Sequence, residues 1–267
     1  MTRSISSLYF MTHDDAAVRI ARRIEAGCER ATGQPQVFFR ADDIGIPSRS
    51  FAGFIALFRK HSIPLCLATV PTWLNEKRLA ELRLVTGSAA GPSGQWCWHQ
   101  HGYVHHNFEI SGKKQEFGPS RAPDELRKSL AQGRDRLLRL LSDEFCPVFT
   151  PPWNRCGEAT LRLLSDLGFK AISRSRGARP EAPAALSDYQ VQVDLHTRKE
   201  QSPELAFAAL LNELEDSLAS GRCGIMIHHQ RMNARALQLL DILLGQIKKN
   251  KRKIIPVHFG DLLKEVP

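Results

Sequence analysis

The chain has 267 residues, of which 42% are hydrophobic, a composition typical of a globular protein able to bury a full core. Its 37 lysines and arginines exceed its 28 aspartates and glutamates, which gives a net charge of +9 and permits an anionic partner. Nucleic acid is not an expected partner, because the sequence contains no nucleic-acid-binding motif. No apolar run approaches the roughly 18 residues that a membrane-spanning helix needs, so no membrane span is predicted.

Strand-like and helical segments alternate along the chain. Apolar residues at the spacing i, i+3, i+4 and i+7, for example from Phe51 onward, indicate one buried helix face. The predicted helices are 14–30, 51–58, 75–85, 123–141, 158–167, 203–218 and 233–248. The predicted strands are 36–40, 64–70, 95–100, 147–150, 169–173, 190–195, 223–227 and 254–259. This alternation predicts an α/β fold with a mostly parallel sheet.

Groups of polar residues follow several of the predicted strands directly. They are Asp42–Asp43, the segment 99–106, the segment 150–153, the segment 194–196 and His228–His229. The segment 99–106 contains four histidines, and histidine is the commonest metal ligand. Because α/β folds place their sites at the carboxyl ends of strands, these residues predict one shared site. Two aspartates and two groups of histidines are typical of a metal-dependent hydrolase.

Two loops are candidates for substrate binding. The long non-periodic segment 103–122 is expected to form a functional loop near the ends of the strands. Arg174, Arg176 and Arg179 lie in a second, glycine-containing loop, where they form either a clamp for phosphate or carboxylate or an ordinary surface loop.

The cysteines and the N-terminal residues indicate the cellular compartment. The six cysteines include no CxxC pair, and Cys66, Cys97 and Cys223 fall inside apolar runs, where buried free thiols are usual. Residues 1–11 are interrupted by serines, which is not the pattern of a secretory signal. We therefore expect a cytoplasmic protein.

Four motifs in order resemble those of the polysaccharide deacetylases, which form carbohydrate esterase family 4 and share the NodB homology domain. They are Ala41-Asp42-Asp43, His101-x-x-x-His105, Pro151-Pro152-Trp153-Asn154 and Ile227-His228-His229. The resemblance extends over residues 36 to 260. It implies a distorted (β/α) barrel with fewer than eight units at 36–260, preceded by the helix at 14–30, within a single domain of residues 1–267.

The resemblance also implies a role for each matched residue. Asp43, His101 and His105 bind one divalent metal ion, typically zinc, and such a set leaves one coordination position open. The i, i+4 spacing of the two histidines suits one helical turn, provided that Gly102 lets the chain coil off the strand. Asp42 is then the general base and His228 the general acid that protonates the leaving amine. A backbone N–H near Trp153 completes the oxyanion site. The residues predicted to bind the substrate are Trp153, Tyr103, Asn154, Arg155 and His229.

Two positions depart from the family pattern. Thr150 stands where the family has an arginine that braces the base, and Arg40 or Arg155 are the candidates to replace it. His229 stands where the family has an acidic residue, so two adjacent histidines compete for the role of the acid. His228 is preferred because of its position.

The sequence therefore predicts a hydrolase that removes an N-acyl group, acetyl above all, from an amino sugar. A cytoplasmic location favours a phosphate-linked precursor as the substrate, which the three loop arginines would suit. The alternative is a non-catalytic carbohydrate-binding or regulatory protein on a decayed esterase scaffold, which the loss of the arginine at position 150 motivates. The oligomeric state is left open.

Overall fold

A computed structural model describes residues 5–12, 14–87 and 94–265. The chain divides into two compact units, one formed by Met1–Ala41, Pro47–Leu65 and Gln192–His258 and the other by Asp42–Ile46, Cys66–Val191 and Phe259–Pro267. The prediction of a single domain over 1–267 stays a prediction. Among the described residues, no helix has the length and apolar character needed to cross a bilayer.

The described residues form nine strands and eight α-helices. The strands are β1 (Gln36–Ile44), β2 (Leu65–Thr69), β3 (Trp96–His101), β4 (Phe145–Thr150), β5 (Ala171–Ile172), β6 (Ser187–Asp188), β7 (Val193–Asp194), β8 (Arg222–Ile227) and β9 (Ile255–Val257). The helices are α1 (Ala16–Arg30), α2 (Arg49–His61), α3 (Glu76–Thr86), α4 (Pro123–Leu141), α5 (Glu158–Asp166), α6 (Pro203–Ala219), α7 (Ala234–Lys249) and α8 (Phe259–Lys264).

The first unit contains parallel strands and four helices. Residues 36–41 of β1 pair with β8 on one side, and residues 36–38 pair with β9 on the other, while β7 pairs with β8. Helix α1 packs against α6 and α7, and α2 packs against α7. At Gly27 of α1, an added Cβ would lie 2.7 Å from the carbonyl oxygen of Glu215 in α6, so this glycine permits the close approach of the two helices.

The second unit contains the strands β2 to β6, of which β3 to β6 pair in parallel in the order of the chain. Helix α4 packs against β3, β4 and α5. Beneath it lies an apolar cluster in which Phe117, Leu130 and Phe149 are fully buried. The register of β3 against β4 shifts between His99 and Gln100, directly before the predicted ligand His101.

Most predicted segments coincide with observed elements, but some strand ends differ. Strand β1 was predicted to end at Arg40, before Asp42 and Asp43. It continues to Ile44, so both aspartates lie within it, and both are buried. The last predicted strand, 254–259, ends at Val257, and Phe259 begins α8. An unbroken apolar run does not show where a strand gives way to a helix.

Candidate metal centre

Three side chains of the second unit converge on one point. Asp43 lies near the end of β1, His101 is the last residue of β3, and His105 lies in the loop after β3. The Asp43 Oδ1 atom is 3.4 Å from His101 Nε2 and 3.1 Å from His105 Nε2. One ligand atom of each residue lies within 4.8 Å of the others, and no other such group of three occurs in the part of the chain that the structure describes. The structure thus brings together the three predicted metal ligands.

This donor set fits a divalent cation. The Nδ1 atom of His101 lies 3.0 Å from the carbonyl oxygen of Thr150, so the ring donates its N–H there and directs Nε2 toward Asp43. Burial raises the pKa of the Asp43 carboxyl, but the contacts with His101 and His105 outweigh burial and hold that pKa well below its usual range. One ionised carboxylate and two imidazoles are the protein ligands of many catalytic zinc sites.

Three residues of this centre have a left-handed backbone conformation. The φ angles are 64° at Asp43, 57° at His105 and 57° at Trp153. Asp and His tolerate this region better than most residues, whereas for a bulky residue such as Trp it is uncommon. Such conformations persist only where the surrounding structure imposes them, and they cluster at functional sites. The segment from His101 to His105 is therefore not the helical turn that its spacing suggested, although Gly102, with φ 59°, does turn the chain off the strand.

Two tryptophans flank His105. The ring centroid of His105 is 4.8 Å from that of Trp153 and 5.6 Å from that of Trp73. Trp73 was not predicted as a site residue, although it lies in a proline-containing turn after a strand, as Trp153 does. A Cβ added at Gly45 would lie 2.8 Å from the Cβ of Trp73, so the turn after Asp43 packs tightly on this tryptophan. Trp73 and Trp153 thus place aromatic rings in contact with the candidate ligand His105.

Other residues predicted to bind the substrate have contacts within the second unit. The carbonyl oxygen of Tyr103 accepts a hydrogen bond from the Thr72 hydroxyl at 3.0 Å, and its partly buried side chain packs on the apolar cluster. The Nη1 atom of Arg155 is 3.4 Å from the carbonyl oxygen of Lys114. Asn154 has a left-handed conformation, with φ 60°. For these three residues, substrate binding stays a prediction.

Thr150, which replaces the family arginine, takes part in a buried hydrogen-bond network. Its hydroxyl is 2.9 Å from Nε2 of His99, and the His99 ring packs edge-on against Phe259 at 4.9 Å. His99 therefore packs inside the second unit. Arg40, considered as a substitute for the family arginine, is fully buried, with Nη2 3.1 Å from the sulfur of Met226.

The predicted acid His228 and its neighbour His229 belong to the first unit. The backbone N–H of His228 donates to Nδ1 of His196 at 3.1 Å. Burial, reinforced by neighbouring basic groups, holds the pKa of His196 well below its usual range, so this ring is a neutral acceptor. His229 is buried, edge-on to Phe51 and stacked on Phe54. This packing favours the half-buried His228 over His229 for contact with a substrate. The role of His228 as the acid and that of His229 in substrate binding stay predictions.

The arginine loop 174–179 is partly structural. Arg174 is 1% exposed, and its guanidinium donates to the Asp188 carboxylate and to the carbonyl oxygen of Pro180, both at 2.7 Å. Arg179 forms an ion pair with Glu181 on the surface. The burial of Arg174 disfavours a phosphate clamp built from all three arginines.

No family model matches this sequence, and no curated protein matches it either. Solved structures do match. A protein of Mycobacterium smegmatis assigned as a polysaccharide deacetylase is 14% identical, with a TM-score of 0.60 over 81% of this chain and 76% of that chain. A family 4 acetyl xylan esterase from Clostridium thermocellum, in complex with a cobalt ion, is 18% identical, with a TM-score of 0.54 over 87% of this chain and 93% of that chain. The chain therefore has the fold of the family 4 carbohydrate esterases, which confirms the predicted fold.

The same fold is shared by a protein without activity. A family 4 pseudoenzyme from Bacillus anthracis is 11% identical, with a TM-score of 0.54 over 87% of this chain and 66% of that chain. A mutant of this pseudoenzyme with restored enzymatic activity matches with a TM-score of 0.55. The fold alone thus does not decide whether this chain is a catalyst, since catalysis depends on the residues of the site.

Proposed function

We propose that this protein is a metal-dependent hydrolase that removes an N-acyl group, acetyl above all, from an amino sugar. The observation that carries the proposal is the convergence of Asp43, His101 and His105 at 3.1 to 3.4 Å, in a chain with the family 4 fold. Three protein ligands leave space for water and substrate on a zinc ion. When bound, such an ion would polarise the acyl carbonyl and make water more acidic.

Side chains of the protein transfer the protons and contact the sugar. Asp42, which is 3% exposed at the end of β1, accepts the proton of the attacking water. His228 donates a proton to the leaving nitrogen, so that the amine departs neutral and the acyl group departs as a carboxylic acid. Trp73 and Trp153, whose rings both lie beside His105, contact the apolar face of the sugar ring.

The same proposal includes a cytoplasmic location and zinc as the metal. All six cysteines, which lie in the described part of the chain, are free, and five of them are buried, as is usual in a reducing compartment. A phosphate-linked substrate would have to be bound without Arg174, because Arg174 already binds Asp188.

Removal of either histidine ligand tests the proposal. Purified protein is expected to contain about one zinc ion per chain and to release acetate from N-acetylated amino sugars. His101→Ala and His105→Ala should lose both properties while keeping a folded far-UV circular dichroism spectrum. His106→Ala is the matched control, because it removes the adjacent, exposed histidine of the same loop and should change neither property. Full zinc content in either ligand variant would show that the ligand assignment is wrong.

A non-catalytic carbohydrate-binding protein is the second candidate. Thr150 in place of the family arginine and the pseudoenzyme with the same fold favour it. Zinc bound at full occupancy, together with binding but no turnover of acetylated sugars, would support this candidate and exclude the hydrolase.

A further inference from the structure

A buried glutamate forms hydrogen bonds with the loop that carries His105. The Glu116 side chain is fully buried, and its carboxylate accepts hydrogen bonds from three consecutive backbone N–H groups. Oε1 accepts from Tyr103 at 3.1 Å and from Val104 at 2.8 Å, and Oε2 accepts from His105 itself at 3.1 Å. The carboxylate therefore binds the backbone directly before and at a candidate metal ligand.

The same carboxylate fills the space beside Gly102, directly after the ligand His101. A Cβ added at Gly102 would lie 2.3 Å from Glu116 Oε2 and 2.6 Å from Cγ of Pro152. With φ 59°, this position favours glycine in any case. Glu116 thus contacts the chain from Gly102 to His105, which links the two histidines.

Glu116 is itself anchored to the core of the second unit. The next residue, Phe117, is fully buried against Phe149, with ring centroids 5.2 Å apart. The carbonyl oxygen of Phe117 accepts from the Thr160 hydroxyl at 2.9 Å and from the Gly157 N–H at 2.8 Å. The carboxylate is therefore held by rigid structure, and the loop is held by the carboxylate.

A carboxylate suits this place better than any other side chain. An ionised carboxylate has only acceptor positions, so it can satisfy three converging N–H groups at once. The three N–H groups in turn form a concave cradle for an anion and stabilise the left-handed conformation of His105, which without such support is strained.

We propose that Glu116 is a positioning residue for the metal centre: it fixes the backbone of residues 103–105, and thereby the place of His105 Nε2 beside Asp43. The proposal rests on the proposed function, because it assumes that Asp43, His101 and His105 bind a metal ion. Residues that orient metal ligands without touching the metal typically account for about 10- to 100-fold in metal affinity.

Glu116→Gln tests this proposal in the full-length chain. The amide keeps the size of the side chain but turns an NH₂ group toward a backbone N–H, so one of the three hydrogen bonds is lost. We expect zinc affinity, measured by chelator competition, to fall about 10- to 100-fold. Hydrogen exchange of the amides of residues 103–105 should accelerate at least tenfold without metal, and excess zinc should restore acetate release.

Glu109→Gln is the matched control. Glu109 lies in the same loop, but its carboxylate binds the exposed Ser120 hydroxyl at 2.7 Å and not the segment 103–105. In the Glu109→Gln variant, the zinc affinity and the exchange rates of amides 103–105 should stay within about twofold of the wild type. If Glu116→Gln does not fold, Glu116→Asp keeps the charge but withdraws it by one methylene group, and it should show the same two effects.

The possible outcomes separate the two proposals. Wild-type zinc affinity in a folded Glu116 variant whose amides 103–105 exchange rapidly would overturn the positioning role. Unchanged exchange of these amides would show that Glu116 does not hold the backbone of residues 103–105. A wild-type protein that binds no zinc would contradict the proposed function, and the exchange experiment would still decide whether Glu116 holds the loop.

Discussion

Asp42 and Asp43 are neighbours in one strand, yet the backbone separates them. The left-handed φ of 64° at Asp43 turns its carboxylate to the two histidines, and Asp42 stays buried in the same strand. Side chains of adjacent residues in a regular strand point to opposite faces, so a turn at the second residue is needed for both to serve one site. The two residues should therefore respond differently to the same substitution.

We predict that Asp43→Asn weakens metal binding and that Asp42→Asn does not. Asparagine replaces the anionic ligand by a neutral amide oxygen, which binds zinc more weakly, so added zinc should restore part of the activity. Asp42→Asn keeps its shape but cannot accept a proton, so kcat should fall about 10²- to 10⁴-fold at unchanged zinc content. Metal analysis and acetate-release kinetics measure both effects. The reverse pattern would exchange the two roles, and near-normal turnover in both variants would exclude the hydrolase.

The sequence was sufficient to find the three candidate ligands but not the residues that hold them. Asp43, His101 and His105 follow strand-like runs, and sites of α/β folds lie at strand ends. Glu116 stands in a polar loop that reads as solvent-exposed, and nothing local indicates that it is fully buried. Its partners lie 11 to 13 residues earlier in the chain, and one of them is the N–H of His105, whose backbone is left-handed.

At the scale of the elements, the long amphipathic helices were predictable and the short strands were not. Helix α4 begins at Pro123 and ends at Leu141 as predicted, because a proline at the first position and a regular apolar face identify it. Strands β5, β6 and β7 have two residues each. Two of them were predicted too long, and β6 was missed, since a two-residue strand is defined by its partner and not by a pattern of its own.

The contact between α1 and α6 gives a prediction at this scale. Gly27→Ala places a methyl group 2.7 Å from the Glu215 carbonyl oxygen and 2.8 Å from the Cβ of Leu218, so the helices must shift apart. We expect the free energy of unfolding, measured by urea titration, to fall by about 1–3 kcal/mol, as for other overpacked sites.

Gly53→Ala is the control for this prediction. Gly53 lies in the interior of α2, and nothing lies within 4 Å of an added Cβ. Alanine should therefore raise the free energy of unfolding by about 0.5–1 kcal/mol, because it restricts the unfolded chain and favours the helix. Equal effects of the two substitutions would show that α1 and α6 are not closely packed at Gly27.

At the scale of the whole molecule, binding of a metal at the candidate site would be coupled to folding. Asp43 and His101 come from different strands, β1 and β3, so the ligand set forms only in the folded chain. Strand β1 contributes residues 36–41 to the first unit and 42–44 to the second, so loss of this strand affects both units. A ligand that binds only the folded state stabilises every element that unfolds with its site.

We therefore predict that zinc raises the midpoint of one cooperative unfolding transition of the full chain. At a free zinc concentration of about 100 Kd, the stabilisation is about 2.7 kcal/mol, which corresponds to a rise in Tm of roughly 5 °C or more. Differential scanning calorimetry measures the shift, and His101→Ala should show none of it. Two separate transitions, of which zinc moves only one, would show that the two units fold independently and would contradict the prediction of a single domain.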